Sequence, residues 1–234
     1  MINSKVPKHI GIILDGNRRF ARKLMLKPWK GHEWGAKKVE KLVTWCEELG
    51  IKELTLYAFS LENFNRPKEE FNYLMNLFKD SFSKFEEDPR IKKNKIKITF
   101  IGRIWMFPKG IQELMQRLME KTKNYNKYKI NIAMAYSGRA EIIDAVKKLS
   151  KDIKSGKLSI DELNEQVFKK NLYLESEPDL IIRTGGEKRI SGFLLWQGSY
   201  AEFVFTDKMW PEFEKNDLVL AIKEYGRRER RFGQ

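Results

Sequence analysis

The chain has 234 residues, a length that suits one domain with a substantial core. Its 46 Lys and Arg against 32 Asp and Glu give a formal charge of +14, which attracts nucleic acid, an anionic membrane surface or a phosphorylated small substrate without choosing among them. Cys46 is the single cysteine, so an internal disulfide framework and a thiolate-rich zinc site are excluded, and a reducing, cytoplasmic location is expected.

The N-terminal MINSKVPKHIGIILDGN reaches Asp15 after an apolar run too short for a secretory signal or a membrane span. A soluble or peripherally membrane-associated protein is expected. His9–Leu14 reads as the first strand, a helix follows over His32–Leu49 with Gly50 as its stop, and Leu54–Phe59 reads as the second strand. Phe71, Leu74, Met75, Phe78, Phe82 and Phe85 then recur at spacings of three, one, three, four and three, which is one face of a helix. Pro67 followed by Lys68, Glu69 and Glu70 suits the start of that helix, and Pro89 after Asp88 stops it. Further strands are predicted at Lys97–Ile101, Ile130–Ala135, Asp179–Ile182 and Ala201–Phe205.

These strands are mainly apolar rather than alternating, so both faces are covered. Helical segments between them imply right-handed crossovers. The fold class is therefore α/β, a mostly parallel central sheet surrounded by helices. No repeat or linker divides the chain; Lys151–Lys157 reads as a surface loop, and residues 1–234 are taken as a single catalytic domain.

In open α/β sheets ligands bind beyond the carboxyl ends of the strands. After the first strand comes Asp15-Gly16-Asn17-Arg18-Arg19; after the second, Ser60-Leu61-Glu62-Asn63-Phe64-Asn65-Arg66; after the fourth, Tyr136-Ser137-Gly138-Arg139; after the fifth, Arg183-Thr184-Gly185-Gly186-Glu187-Lys188-Arg189. Guanidinium groups beside glycines and small polar residues suit phosphate oxygens, because the fork matches them and glycine lets backbone N–H groups approach. The plain alternative is that single arginines pair with surface carboxylates. Asp15 is anomalous in a basic rim: either a divalent cation bridges it to phosphate, with magnesium the natural choice and Glu202 a second carboxylate, or it caps the following helix. His32, at the mouth of a helix, is either a phosphate ligand or proton carrier, or a packed histidine. Nucleotide-loop and kinase signatures are absent.

At these residues the sequence resembles the cis-prenyltransferases, the undecaprenyl diphosphate synthase family, over nearly the whole chain from His9 to Gly233. The matching segments are Asp15-Gly16-Asn17 with Arg19, Gly31-His32, Tyr57-Ala58-Phe59-Ser60 through Glu62-Asn63 to Asn65-Arg66-Pro67, and Gly138-Arg139. They continue with Ile182-Arg183-Thr184-Gly185-Gly186-Glu187, Arg189, Ser191, Phe193-Leu194-Leu195-Trp196-Gln197 and Arg228-Glu229-Arg230-Arg231-Phe232-Gly233.

The resemblance implies a hydrophobic tunnel, a homodimer, and condensation of isopentenyl diphosphate with an allylic prenyl diphosphate to a long-chain polyprenyl diphosphate, a precursor of a glycosyl carrier lipid. It implies that Asp15 holds Mg2+ and positions the allylic diphosphate, with Gly16, Asn17, Arg18, Arg19 and Arg66 on its phosphates and Phe20, Glu62 and Phe64 beside the substrate. Arg183, Arg189 and Ser191 take the isopentenyl diphosphate, joined by Arg231 and Gly233 across the dimer. Glu202 helps hold the metal, and Ser60, Asn63 and His32 assist condensation or proton handling. Candidate tunnel walls are the Phe71–Phe85 stripe, Ala58, Ile101, Ile104, Trp105, Met106 and Phe107.

Arg18 stands where many bacterial members have glycine, Phe64 replaces a frequent tryptophan, and Pro28 occupies the place of a phosphate-binding arginine, with Lys27 or Lys30 as substitutes. The Asn-Arg-Arg form is closer to archaeal and eukaryotic members. Two other readings are a nucleic-acid-binding protein, supported only by charge and expected to lack diphosphate turnover, and a non-catalytic prenyl-binding partner subunit, opposed by Asp15, Glu202 and the C-terminal Arg231-Phe232-Gly233.

Overall fold

The computed structural model describes residues 6–228. Six strands, β1 (His9–Ile13), β2 (Glu53–Ser60), β3 (Ile96–Ile101), β4 (Tyr128–Tyr136), β5 (Leu180–Arg183) and β6 (Glu202–Phe205), form one sheet in the order β3-β4-β2-β1-β5-β6. Every pairing is parallel. The helices among the described residues are α1 (Asn17–Lys23), α2 (Gly31–Glu48), α3 (Lys68–Glu87), α4 (Pro89–Lys93), α5 (Lys109–Thr122), α6 (Gly138–Lys154), α7 (Glu165–Lys169) and α8 (Lys215–Arg227).

All six predicted strands form, as do the two predicted helices. The expected loop at Lys151–Lys157 does not: α6 runs through Lys154, and the chain turns only at Ser155-Gly156, where Gly156 takes φ 73°. Asp152 and Ile153 remain half-buried, so the segment still has a face to pack and the helix continues to use it.

Strand alternation divides the interior in two. Ile10 and Ile12 join the larger core with Leu42, Leu54, Leu56, Leu74, Phe82, Ile132 and Trp210. Ile13 and Ile181 join a smaller one with Tyr136, Phe193 and Leu194. β1 lies between β2 and β5, so the chain leaves β1 to one side and returns on the other. The crevice where strand order reverses is the expected ligand position, and the loops after β1 and β5 meet there.

Candidate active site

The β1 loop turns at Gly16, which adopts φ 107°; a Cβ there would stand 2.8 Å from that of Met209. This left-handed residue, not Asp15, is the N-cap of α1. The Asp15 carboxylate is free to face the β5 loop. Its Oδ1 accepts from the Gly16 N–H at 2.6 Å, its Oδ2 accepts from Arg183 Nη2 at 2.8 Å, and Arg19 Nη2 lies 3.2 Å away. The Asp15 carbonyl accepts from Thr184 Oγ1 at 2.7 Å and from the Trp210 N–H at 2.8 Å, which anchors the turn from below.

Arg183 is 5% exposed. Besides Asp15, it donates to Ser191 Oγ at 2.8 Å and to the Arg189 carbonyl, while its Nε is buried with no partner. Buried donors are rarely left unmet, so an acceptor supplied by a ligand suits this atom. Arg189 in turn pairs with Glu187 at 2.6 Å.

The second wall of the rim comes from α2 and the loop after β2. α2 approaches α1 so closely that a Cβ on Gly31 would lie 1.9 Å from the Asn17 carbonyl oxygen, which requires glycine there and brings His32 to the rim. Arg66 Nη1 donates to His32 Nε2 at 3.2 Å and to Glu70 Oε1 at 2.8 Å; Arg18 stands 3.6 Å from Glu70 Oε2. Burial, helped by Arg66 and Arg18, lowers the His32 pKa to about 3. The ring is therefore neutral near neutral pH, with Nε2 accepting from Arg66 and the proton on Nδ1. Asn63 Oδ1 accepts from the Ser60 N–H at 3.1 Å and closes the turn after β2.

Asp15, Asn17, His32, Ser60, Asn63, Arg66, Arg183 and Arg189 line one cavity of about 700 Å³. Beyond this polar mouth the walls become apolar: Val39 of α2, Leu56 and Ala58 of β2, and Leu74, Leu77, Phe78, Phe82 and Phe85 of α3. Polar groups return where α3 ends, at Lys84, Glu87 and Asp88.

Some expected wall residues lie elsewhere. Phe71 and Phe107, with Phe64, pack against the lining residue Phe59 as an aromatic cluster, with centroids 5.1 to 6.4 Å apart, and do not themselves line the cavity. Ile101 and Ile104 do not line it either, and Trp105 and Met106 are exposed. Ile101 ends β3 and the others follow it, at the sheet edge, with β4 and β2 between them and β1.

Gly16, Arg18, Arg19, Phe20, Glu62 and Ser191 flank the mouth in sequence but do not line the cavity; Phe20 instead packs edge-on against Trp34. Glu202 is not brought to Asp15 within one chain. It pairs in register with Leu180, three residues or ~10 Å of strand before Arg183, and its carboxylate accepts from Arg228 at 2.7 Å. Arg231 and Gly233 lie outside the described residues.

Two residues that sequence reasoning left unassigned hold the site together. Glu70, 1% exposed, is the shared anion for Arg66 and Arg18. Its position one turn after Arg66 was the available signal. Tyr57 lines the cavity, stacks on Phe193 at 4.8 Å, and its hydroxyl lies 3.3 Å from the carbonyl oxygens of Tyr136 and Ser191. Ser191, Gly192 and Leu194 all have positive φ, so this hydroxyl holds a segment with little intrinsic preference for its own shape.

A family model described as putative undecaprenyl diphosphate synthase matches residues 13–233. The chain belongs to that prenyltransferase family. It is 47% identical over 232 residues, 98% of this chain and 86% of the relative, to tritrans,polycis-undecaprenyl-diphosphate synthase (geranylgeranyl-diphosphate specific) of Methanopyrus kandleri. The protein of the same description from Pyrococcus horikoshii is 48% identical over 231 residues, 98% of this chain and 88% of the relative. Among solved structures, lavandulyl diphosphate synthase from Lavandula x intermedia, in complex with dimethylallyl diphosphate, superposes with a TM-score of 0.91 at 32% identity, covering 98% of this chain and 99% of that one. A probable undecaprenyl diphosphate synthase from Campylobacter jejuni gives 0.81 at 35%, covering 98% and 100%. The chain is thus a cis-prenyltransferase, a prenyl diphosphate synthase with the parallel-sheet fold of its family.

Proposed function

We propose that this prenyltransferase lengthens geranylgeranyl diphosphate by successive cis additions of isopentenyl diphosphate, and that the long-chain product is the precursor of a glycosyl carrier lipid. The observation that carries the reading is a guanidinium-rich mouth opening directly onto an apolar cavity, which matches a ligand with a diphosphate head and a hydrocarbon tail. The starter is supported by the specificity in the names of the Methanopyrus and Pyrococcus relatives. The whole chain acts as one catalytic domain in the cytoplasm; no helix among the described residues is long and apolar enough to cross a membrane.

In this reading Asn17, Arg66, Arg18, Arg19 and the Gly16 turn receive the allylic diphosphate, with Phe20, Glu62 and Phe64 shaping its surroundings. Arg183, Arg189 and Ser191 receive isopentenyl diphosphate. The allylic carbon–oxygen bond breaks with its electron pair leaving on the diphosphate, and the guanidinium groups stabilise that charge more in the transition state than in the ground state. The isopentenyl double bond attacks the allylic carbon, and loss of a proton sets the new cis alkene. His32, neutral and protonated on Nδ1, serves as a hydrogen-bond donor to phosphate oxygen; Ser60 and Asn63 hold the loop beside it.

The donor set at Asp15 fits magnesium, since this ion favours one or two carboxylates completed by substrate phosphates and water, and the nearby buried Asn17 Oδ1 has no partner. When bound, the metal neutralises charge developing on the leaving diphosphate. Glu202, held away from Asp15 in its own chain, is assigned to a metal site completed in a homodimer, with Arg231 and Gly233 contributed across the interface.

The test is radiolabelled isopentenyl diphosphate with magnesium and allylic starters of graded length, resolved by product length. Geranylgeranyl diphosphate should give the highest kcat/KM and long products; absence of elongation with every starter overturns the reading. Mixing Asp15→Ala with a chain lacking Arg231–Gln234 tests the dimer. Activity recovered from the two inactive variants supports shared sites, and no recovery in verified mixed dimers removes them.

A further inference from the structure

The turn that closes α1 is apolar where a surface turn is normally polar. Leu24, Met25 and Leu26 are 45%, 96% and 41% exposed, and Trp34, packed on Phe20, is 38% exposed. Three consecutive exposed apolar residues find no reason in the packing of the chain itself. Met25 also occupies, at φ 57°, the left-handed position that helices usually give to glycine at their ends. The Leu26 N–H donates to the Ala21 carbonyl at 2.9 Å and the Met25 N–H to that of Arg22 at 2.9 Å, so the helix end is bonded while the Met25 side chain stands in solvent.

Along the chain the charge of this segment is one-sided: residues 17–30 contain Arg18, Arg19, Arg22, Lys23, Lys27 and Lys30 and no acidic residue. In space Arg18, Arg19 and Lys30 are held by Glu70, Asp15 and Glu33, which leaves Arg22, Lys23 and Lys27 nearest the tip. Lys23 and Lys27 reach Glu212 and Glu69 at 2.8 and 2.9 Å, exposed pairs that exchange readily for other anions. Apolar side chains at the apex with a basic collar form the pattern of an interfacial anchor for anionic lipid.

We propose that Leu24, Met25 and Leu26 dock the enzyme on an anionic bilayer, the three side chains entering the acyl boundary and Arg22, Lys23 and Lys27 meeting headgroup phosphates. α1 links this tip to Asn17 at the cavity mouth in seven residues. Docking therefore holds the mouth close to the membrane that receives a polyprenyl product. The inference rests on the proposed lipid product for its purpose, but its test needs no substrate.

The full chain is floated with vesicles of phosphatidylcholine alone or with phosphatidylglycerol, at low and high salt. The unmodified protein should float only with the anionic vesicles, less at high salt, and Met25→Asp should weaken binding about tenfold or more while Met25→Leu retains it. Condensation with a soluble short-chain starter should be unchanged in Met25→Asp, which shows a folded enzyme and separates docking from catalysis. Failure of the unmodified protein to float, or equal flotation of Met25→Asp, overturns the proposal. So does a change of oligomeric state in Met25→Asp by sedimentation, which would make the tip a contact between copies, or flotation abolished by oligonucleotide at matched ionic strength.

Discussion

The mouth and the wall of the cavity are built from different physics. At the mouth nearly every functional group is already engaged: Asp15 by Arg183 and Arg19, Arg66 by Glu70 and His32, Arg189 by Glu187. These pairs hold the donors in place before ligand arrives, which reduces reorganisation when charge develops. The wall makes no such bonds; Ala58, Leu74 and Phe78 contribute only shape and apolar surface. Change at the mouth should alter whether the reaction runs, and change in the wall should alter how far it runs.

The strongest test of that contrast is Asp15→Ala, expected to lower turnover by roughly 10²–10³-fold or more, with Asp15→Asn also poor. The protein should stay folded with a lowered melting temperature, since Asp15 itself is half-buried but the buried Arg183 loses its carboxylate partner. A folded Asp15→Ala protein with near-normal turnover would end the proposed metal role. Next comes Glu70→Ala, which leaves the half-buried Arg66 beside Arg18 without its carboxylate; a loss of roughly 1–3 kcal/mol is expected in urea unfolding. A loss below 1 kcal/mol would show that Arg66 finds water or another anion instead.

On the wall, Ala58→Leu or Leu74→Phe should shorten the products while the first condensation changes only a few-fold, because the obstruction meets only a longer chain. An unchanged product distribution from both variants would remove these residues from the path of the prenyl group.

Tyr57→Phe lies between the two regions. Loss of a hydroxyl worth ~1 kcal/mol should raise KM for isopentenyl diphosphate less than tenfold and leave the allylic KM alone. Equal changes in both constants would mean that Tyr57 does not act through Ser191.

The last effect, on stability rather than turnover and small near neutral pH, is the pH dependence carried by His32. Its folded pKa, about 3, lies below the ordinary 6.5, so the unfolded chain takes up the proton first as pH falls. The stability tied to its neutral state is complete above about 6.5 and declines as pH drops towards 3. Buried His9, also lowered, contributes with the same sign. His32→Gln should flatten the acid side of the denaturation profile, and an unchanged profile would mean that the ring takes up its proton as readily in the folded protein as in the unfolded chain.

Much of this was legible along the chain. The strand ends that carry Asp15, Arg66 and Arg183 could be found because apolar runs end abruptly in polar, glycine-rich loops. Leu74 and Phe78 were legible as one helix face from their spacing, and as wall candidates through the tunnel that the family resemblance implies. The same reasoning overreached at Trp105 and Phe107, since an apolar run does not state which layer covers it. Glu70 and Tyr57 were passed over because a glutamate after a helix start and a tyrosine in a strand have ordinary structural uses.

Local information determined the elements, their order and the chemical type of each loop, because periodicity, caps and turn residues act over a few positions. Partnership was decided by the tertiary structure. Asp15 and Arg183 are 168 residues apart and meet because β1 and β5 are neighbours in the sheet. The same strand register that brings Arg183 to Asp15 puts Glu202 at the other end of β6, a separation that depends on how parallel strands align and that no local pattern of residues encodes.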